Sequence, residues 1–451
     1  MERVDVAIVG GGPAGSSAAR AAASAGADAV VLEKGVPRSD RDGLGPDSTD
    51  AAGLLDYWID LMEFDPDEFP EEVVLSELDG AEFLGPEESV TLSETGIDAA
   101  YGNFGLTFDR AKFDDWLRER AEAAGAEYRA GASVTGVESD LSGGHEHTVA
   151  IAGEEDVVAD YLILADGPQR TITGSVLDRF LSGSFSDRMD STEVNHIAYQ
   201  EHRRMPEELF EPEYIKFWWG VMPGHTAYPW IFPNDDNVAR IGLTMPIGLD
   251  VDDYDASEWA LLREDDDRIP RGAEYVERLL EQEFPGYDLE DFPLVEDRGK
   301  SDGTETYSIS STRPIDSPTA AGIAVVGGAM GTTSAFHEGG DHVAVRTGKL
   351  AGRLAAEDAL GEYNPRWKAA IGDELLRNVA MADVVEDFDP GDWDRTFATV
   401  RRMLEIEGSQ WRQGLAAGLH GLRVVGSYKW TKRGYRKNGL AQIREEEYSI
   451  R

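Results

Sequence analysis

Two glycine-rich turns, and the acids beside them, carry the chemistry that these residue types permit. Gly10-Gly11-Gly12-Pro13-Ala14-Gly15 follows directly on an apolar run at 4–9, and the run 28–33 (DAVVLE) closes on Glu33. Strand, glycine turn, helix, strand and acid in this order is the pattern of a dinucleotide-binding βαβ unit. Gly10 permits the tight turn and Gly12 the close approach of backbone to a pyrophosphate. Pro13 and Ala14 open the helix whose positive end holds the anion, and Gly15 lets that helix pack on the strand. Glu33 is expected to accept hydrogen bonds from the adenosine ribose.

Two distant segments favour FAD over NAD. The run 160–166 (DYLILAD) leads into Asp166-Gly167-Pro168, and 321–327 (AGIAVVG) leads into a glycine-rich loop over 327–340 followed by a helical stretch. Three apolar strands far apart in sequence, each running into glycine, imply one parallel sheet assembled discontinuously. Further along, Tyr228, Trp230 and Phe232 alternate, so a strand there presents three rings on one face. Trp218 and Trp219 add aromatic area just before it. Such a face either lines an apolar channel or is core between sheet and helices.

The elements that must position these residues come from a 451-residue chain with 42 Lys+Arg against 87 Asp+Glu, a formal charge of −45. Dispersed acidity of this size excludes nucleic acid as a partner, because phosphate neutralisation needs a basic surface. Together with few lysines, it resembles the composition of salt-accumulating halophiles, whose charge is screened by cytosolic salt, a haloarchaeal source being the one expected; an acidic mesophile protein is the alternative. The absence of Cys excludes disulfides, iron–sulfur clusters and thiolate zinc sites. With neither a transmembrane-length apolar run nor a signal-peptide pattern, a cytoplasmic location is expected. The charge is uneven: residues 411–437 hold seven basic groups and no acid, interleaved with Trp411, Leu415, Leu419, Leu422, Tyr428 and Trp430. Such a segment either lies on an anionic membrane face or packs on the acidic body.

With these motifs in place, the chain resembles the geranylgeranyl reductase family of FAD-dependent oxidoreductases, which have the aromatic-hydroxylase-type fold. The resemblance rests on the first glycine motif, on Arg110-x-x-Phe113-Asp114 with Val134, on Asp166-Gly167, and on 327–341 (GGAMGTTSAFHEGGD). It also rests on Tyr228-Pro229-Trp230-Ile231-Phe232-Pro233 followed by Gly242-Leu243-Thr244. It implies an α/β fold: a discontinuous Rossmann-like FAD-binding domain, an inserted antiparallel β-sheet substrate domain and a helical C-terminal region. The boundaries expected are 1–70, 105–170 and 300–360 for the first, 71–104 and 171–299 for the second, and 361–451 for the third. Arg110 and Val134 would contact the pyrophosphate and adenine, and Gly327, Gly328, Gly339 and Gly340 the flavin end. The implied activity is saturation of C=C bonds in geranylgeranyl or related isoprenoid chains, with ferredoxin or NAD(P)H as electron donor. His337 and Tyr228 are the proton donors nearest the flavin loop. Trp218, Trp219, Tyr228, Trp230 and Phe232 would line the substrate channel.

The sequence departs from the family's pattern in places. Gly328 replaces an Asp that binds the ribityl chain, Thr244 replaces a Gly, and the loop at 42–50 lacks a Cys often found there. A flavin monooxygenase or halogenase on the same fold, or a degenerate flavin-binding homologue, is the alternative.

Overall fold

The structure is a computed structural model that describes residues 1–36, 53–189, 195–405 and 418–450, with backbone alone at 418–422 and 438. Among the described residues the strands in chain order begin with β1 Glu2–Val9, β2 Ala29–Glu33, β3 Gly53–Leu55, β4 Val74–Leu78, β5 Gly80–Leu84 and β6 Ser89–Leu92. Next come β7 Gly105–Phe108, β8 Glu127–Ala130, β9 Val134–Asp140, β10 Glu146–Ile151 and β11 Val157–Leu164. The remainder are β12 His196–Arg204, β13 Tyr214–Trp218, β14 Tyr228–Pro233, β15 Val238–Pro246, β16 Thr304–Ile309 and β17 Ile323–Val325. The helices are α1 Pro13–Ser24, α2 Asp56–Leu61, α3 Arg110–Ala123, α4 Thr171–Leu177, α5 Phe185–Arg188 and α6 Gly272–Glu283. They continue with α7 Gly327–Met330, α8 Asp341–Ala356, α9 Tyr363–Val385, α10 Pro390–Leu404 and α11 Gly418–Asn438.

One sheet runs β8-β2-β1-β11-β10-β9, with β17 also on β11. Its centre is parallel: β1 pairs with β2 and β11, and β17 joins the late half of β11. Strands buried on both faces read as continuous apolar runs, which is why VAIV, AVVL and LIL were legible as strands. On this sheet α1 and α8 lie so close that a Cβ at Gly348 would stand 2.0 Å from Ala14 O, and one at Gly352 2.0 Å from Ala18 O. The pairing 14 with 348 and 18 with 352 makes the two helices parallel. It also carries the start of α8 roughly 9 Å beyond the start of α1, at 1.5 Å per residue.

The second sheet, β16-β12-β15-β14-β13-β5-β6, is antiparallel except for the β13–β5 pair. A third, small sheet is β3-β7-β4. The helix α6 closes one face of the second sheet with Val276, Leu279 and Leu280, and the other face looks toward the glycine-rich loops.

Three boundaries differ from those expected. β16, assigned to the first domain at 300–360, is an edge strand of the second sheet, where Tyr307 and Ile309 pack on its aromatic face. Residues 171–189, assigned to the second domain, instead put Val176, Leu177, Phe180 and Phe185 into the core under the first sheet. Asp166 causes this: its carboxylate accepts the backbone N–H groups of Ile172 (2.7 Å) and Thr173 (3.0 Å), tying α4 to the end of β11. The C-terminal region is not a separate body either, since Tyr363, Trp367, Ile371, Ile443 and Tyr448 enter that same core.

Candidate active site

The cradle at the start of α1 is made of backbone. Gly10 has φ +100°, and a Cβ there would lie 2.4 Å from Ala165 O. A Cβ at Gly15 would lie 1.8 Å from Gly10 O, whereas one at Gly12 would meet nothing within 4 Å. Gly12 therefore faces the open side and the other two face protein. Gly12 is the N-cap of α1, which has no side-chain cap, with Pro13 and Ala14 next, so the helix's positive end remains for an anion. Glu33 accepts the Gly11 and Gly35 N–H groups, each at 2.6 Å, leaving lone pairs for a ribose. Val134 opens β9, packed half-buried on the core, three residues past Gly131, whose N–H donates to Gly35 O at 3.0 Å.

Arg110, expected at the pyrophosphate, is paired with two carboxylates. Nε and Nη2 donate to Asp114 (2.8 and 3.0 Å), and Nη1 meets Asp341 Oδ1 at 3.0 Å. Asp341 is the first residue of α8, so Arg110 bridges the starts of α3 and α8. Burial pushes the Asp114 carboxyl up to about 6, against the pull of Arg110.

At the flavin end, Gly327 has φ +58° and its N–H donates to Thr347 Oγ1 at 3.1 Å. Gly328 contributes backbone only: its carbonyl accepts from Arg170 Nη2 at 3.0 Å. Arg170, which the sequence reading missed, also donates to Ala329 O, Pro168 O and Ser310 Oγ at 2.8–2.9 Å. It is buried and thereby clamps the turn through Gly167 (φ +77°) to the 327–330 loop. Gly340 is the uncapped N-cap of α8, with Gly339 before it. Trp58 on α2 stacks on His342 (4.2 Å, 5°) and more distantly on His337 (5.9 Å).

Both groups named from sequence as proton donors have protein partners, but only the Tyr228 hydroxyl spends its proton on one. Burial holds the His337 imidazole down at about 4, so it is neutral near pH 7, and its Nδ1 accepts the Gly339 N–H at 3.3 Å. The Tyr228 hydroxyl, kept protonated by burial, donates to His337 O at 2.7 Å. A third group, unnoticed in sequence, lies between them and the second sheet. Glu338 accepts the hydroxyl of Thr244, and its Oε1 stands 3.4 Å from His196 Nε2. Burial raises its carboxyl to about 8, and the Thr244 hydrogen bond lowers it only in part.

The aromatic face is continuous. Tyr228 stacks on Trp219 (4.3 Å), Trp219 on Phe336 of the flavin loop (5.3 Å), and Phe217 packs edge-on to Tyr228 and Phe232. Trp230 lies between Tyr228 and Phe232, 6.0 Å from each. Trp218 is a correction. Strand alternation turns it to the opposite face, into the cluster closed by α6, so it does not share this surface. The loop at 42–50 lies outside the described residues, as do Trp411, Arg412 and Leu415 of the basic segment.

These residues fit FAD. A backbone cradle at α1 and a second positive helix end displaced along the same direction match a dinucleotide laid across both. The FAD binding domain family matches residues 5–101. With fold and site together, the class is an FAD-dependent oxidoreductase. The digeranylgeranylglycerophospholipid reductase of Methanocaldococcus jannaschii is 27% identical over 406 residues, 86% of this chain and 88% of that one. The enzyme of that name from Methanosarcina acetivorans is 25% identical over 386 residues, 82% of each chain. A geranylgeranyl bacteriochlorophyll reductase-like protein from Thermoplasma acidophilum superposes with a TM-score of 0.70 at 22% identity, covering 96% of this chain and 100% of its own. The myxobacterial chondrochloren halogenase shares the fold at a TM-score of 0.58 and 18% identity, with 99% and 95% covered. The chain is thus similar along most of its length to digeranylgeranylglycerophospholipid reductases and shares its fold with a geranylgeranyl bacteriochlorophyll reductase-like protein.

Proposed function

We propose that the protein saturates C=C bonds of geranylgeranyl or related isoprenoid chains of membrane lipids. The observation that carries this reading is the uncharged aromatic face Phe217–Trp219–Tyr228–Trp230–Phe232, tied to the flavin loop by the Tyr228–His337 hydrogen bond. An unactivated alkene offers no carbonyl to polarise, so a dry apolar surface and a positioned acid are what the reaction needs. Bound FAD, once reduced, supplies hydride from N5. The chain's own residues do the remaining work. The ends of α1 and α8, the latter braced by Arg110 through Asp341, hold the dinucleotide, and the aromatic rings orient the prenyl chain and exclude water. Phe336 and Phe388 are half-buried and pack at the edge of the face. In molar salt under anaerobic conditions, product mass should rise by two hydrogens per prenyl double bond. An unchanged mass contradicts the reading.

A lipid substrate also gives the basic segment a role. On α11, Lys432 and Arg436 meet Asp373 of α9 (3.0 and 2.7 Å), and Tyr435 donates to Asp383 (2.8 Å). The opposite stripe, Arg423, Trp430, Arg433 and Lys437, faces outward with Trp430 80% exposed. The inner half thus packs on the acidic body and the outer half is offered to an anionic membrane. At about 1 kcal/mol per basic residue, Lys429→Glu with Arg433→Glu should weaken binding to anionic vesicles at least about thirtyfold. Unchanged co-sedimentation removes the membrane role. Among the described residues no helix is long and apolar enough to cross a membrane.

A further inference from the structure

Glu338 sits in the flavin loop with φ +59°, a left-handed conformation that disfavours any residue with a Cβ. Its side chain is 3% exposed. One carboxyl oxygen takes the Thr244 hydroxyl from β15, while Oε1, buried, has no hydrogen-bond partner among the described residues. The groups facing it are His196 from β12, Thr244 from β15 and the Tyr228 phenol from β14, with Tyr307 of β16 beyond Tyr228. His196 is itself buried, its Nε2 3.1 Å from Thr226 Oγ1, and its ring stands edge-on to His225, which is exposed (centroids 5.7 Å). A strained, dehydrated carboxyl with an unused oxygen, beside the aromatic face and backed by a histidine pair reaching solvent, is costly as mere architecture.

We propose that Glu338 is the proton donor of alkene reduction, recharged from solvent through His225 and His196; the assignment rests on the reductase reading above. The balance is closed. The π bond breaks, one alkene carbon takes hydride from the reduced cofactor, and the other takes the proton of the Glu338 carboxyl. The alkene gains two electrons, the cofactor loses two, and the carboxylate left behind is reprotonated through His196. Burial keeps this carboxyl protonated to about pH 8, so the acid form is present at neutral pH, unlike an ordinary glutamate.

The test uses the FAD-loaded enzyme and its Glu338→Gln variant, which keeps shape and removes the acid. Infrared spectra across pH should show a neutral carboxylic-acid band at pH 7 that fades around pH 8 and is missing from E338Q. E338Q should bind FAD with wild-type affinity yet reduce a geranylgeranyl lipid about 100-fold or more slowly. His196→Gln, a positioning variant, should retain the infrared band and shift the pH profile of turnover. An active E338Q with an unchanged pH profile, or a wild type without the band, overturns the donor assignment while leaving the reductase reading intact. A wild type that transfers no hydrogen to prenyl chains overturns both.

Discussion

The two faces of the site are built from different materials. The side proposed for the cofactor is backbone: Gly10, Gly12, Gly15, Gly327 and Gly328, with the open ends of α1 and α8. The opposite side is side chain: aromatic rings on β14 and around it, and the Thr244–Glu338–His196 cluster. A dinucleotide needs the same close approach whatever is being reduced, and glycine supplies it by absence. The side proposed for an alkene substrate must exclude water and carry an acid, which only particular side chains do.

Gly15→Ala should break the backbone side most severely, because the new Cβ meets Gly10 O at 1.8 Å. Loss of the flavin absorption band from purified protein is expected. Gly12→Ala, with nothing within 4 Å, should leave folding unchanged and lower FAD affinity alone. Arg170→Leu comes next. It leaves the buried carbonyl of Ala329 and the part-buried ones of Pro168 and Gly328 without their donor, and denaturant titration at constant salt should show a loss of about 3 kcal/mol. Gly328→Asp adds a side chain to the side that lacks one. Its Cβ would lie 3.4 Å from Pro168, an ordinary contact, and FAD titration should show affinity rising about tenfold. Tyr228→Phe removes one buried hydrogen bond across the seam and should cost about 1 kcal/mol of stability. Because that phenol is committed to His337 O, turnover should fall far less than in E338Q.

The same contrast explains what the sequence disclosed. Gly10 and Gly15 stand out because their roles follow from short-range geometry: a left-handed φ, or a neighbour five residues away. The Tyr228–Phe232 stripe was legible because strand alternation is local. Trp218 was misplaced by overlooking that same alternation, which separates it from Phe217 and Trp219. Glu338 was hidden for the opposite reason. Its partner Thr244 lies 94 residues away and meets it only when β15 and the flavin loop dock. The one signal was an acid among glycines, in a loop where its φ would favour glycine. Thr244 looked like a simple departure from the resembled motif until the structure placed its hydroxyl on that acid. β16 was lost to the first domain because its pairing with β12 spans the whole insertion.

The central claim is that reduced flavin on one face meets an isoprenoid on the other. Anaerobic stopped-flow absorption of the pre-reduced, FAD-loaded enzyme tests it most directly. Addition of a geranylgeranyl lipid without oxygen should restore the oxidised flavin spectrum in step with loss of double bonds. A flavin that stays reduced with the lipid, and reoxidises only when oxygen is admitted, would contradict the account.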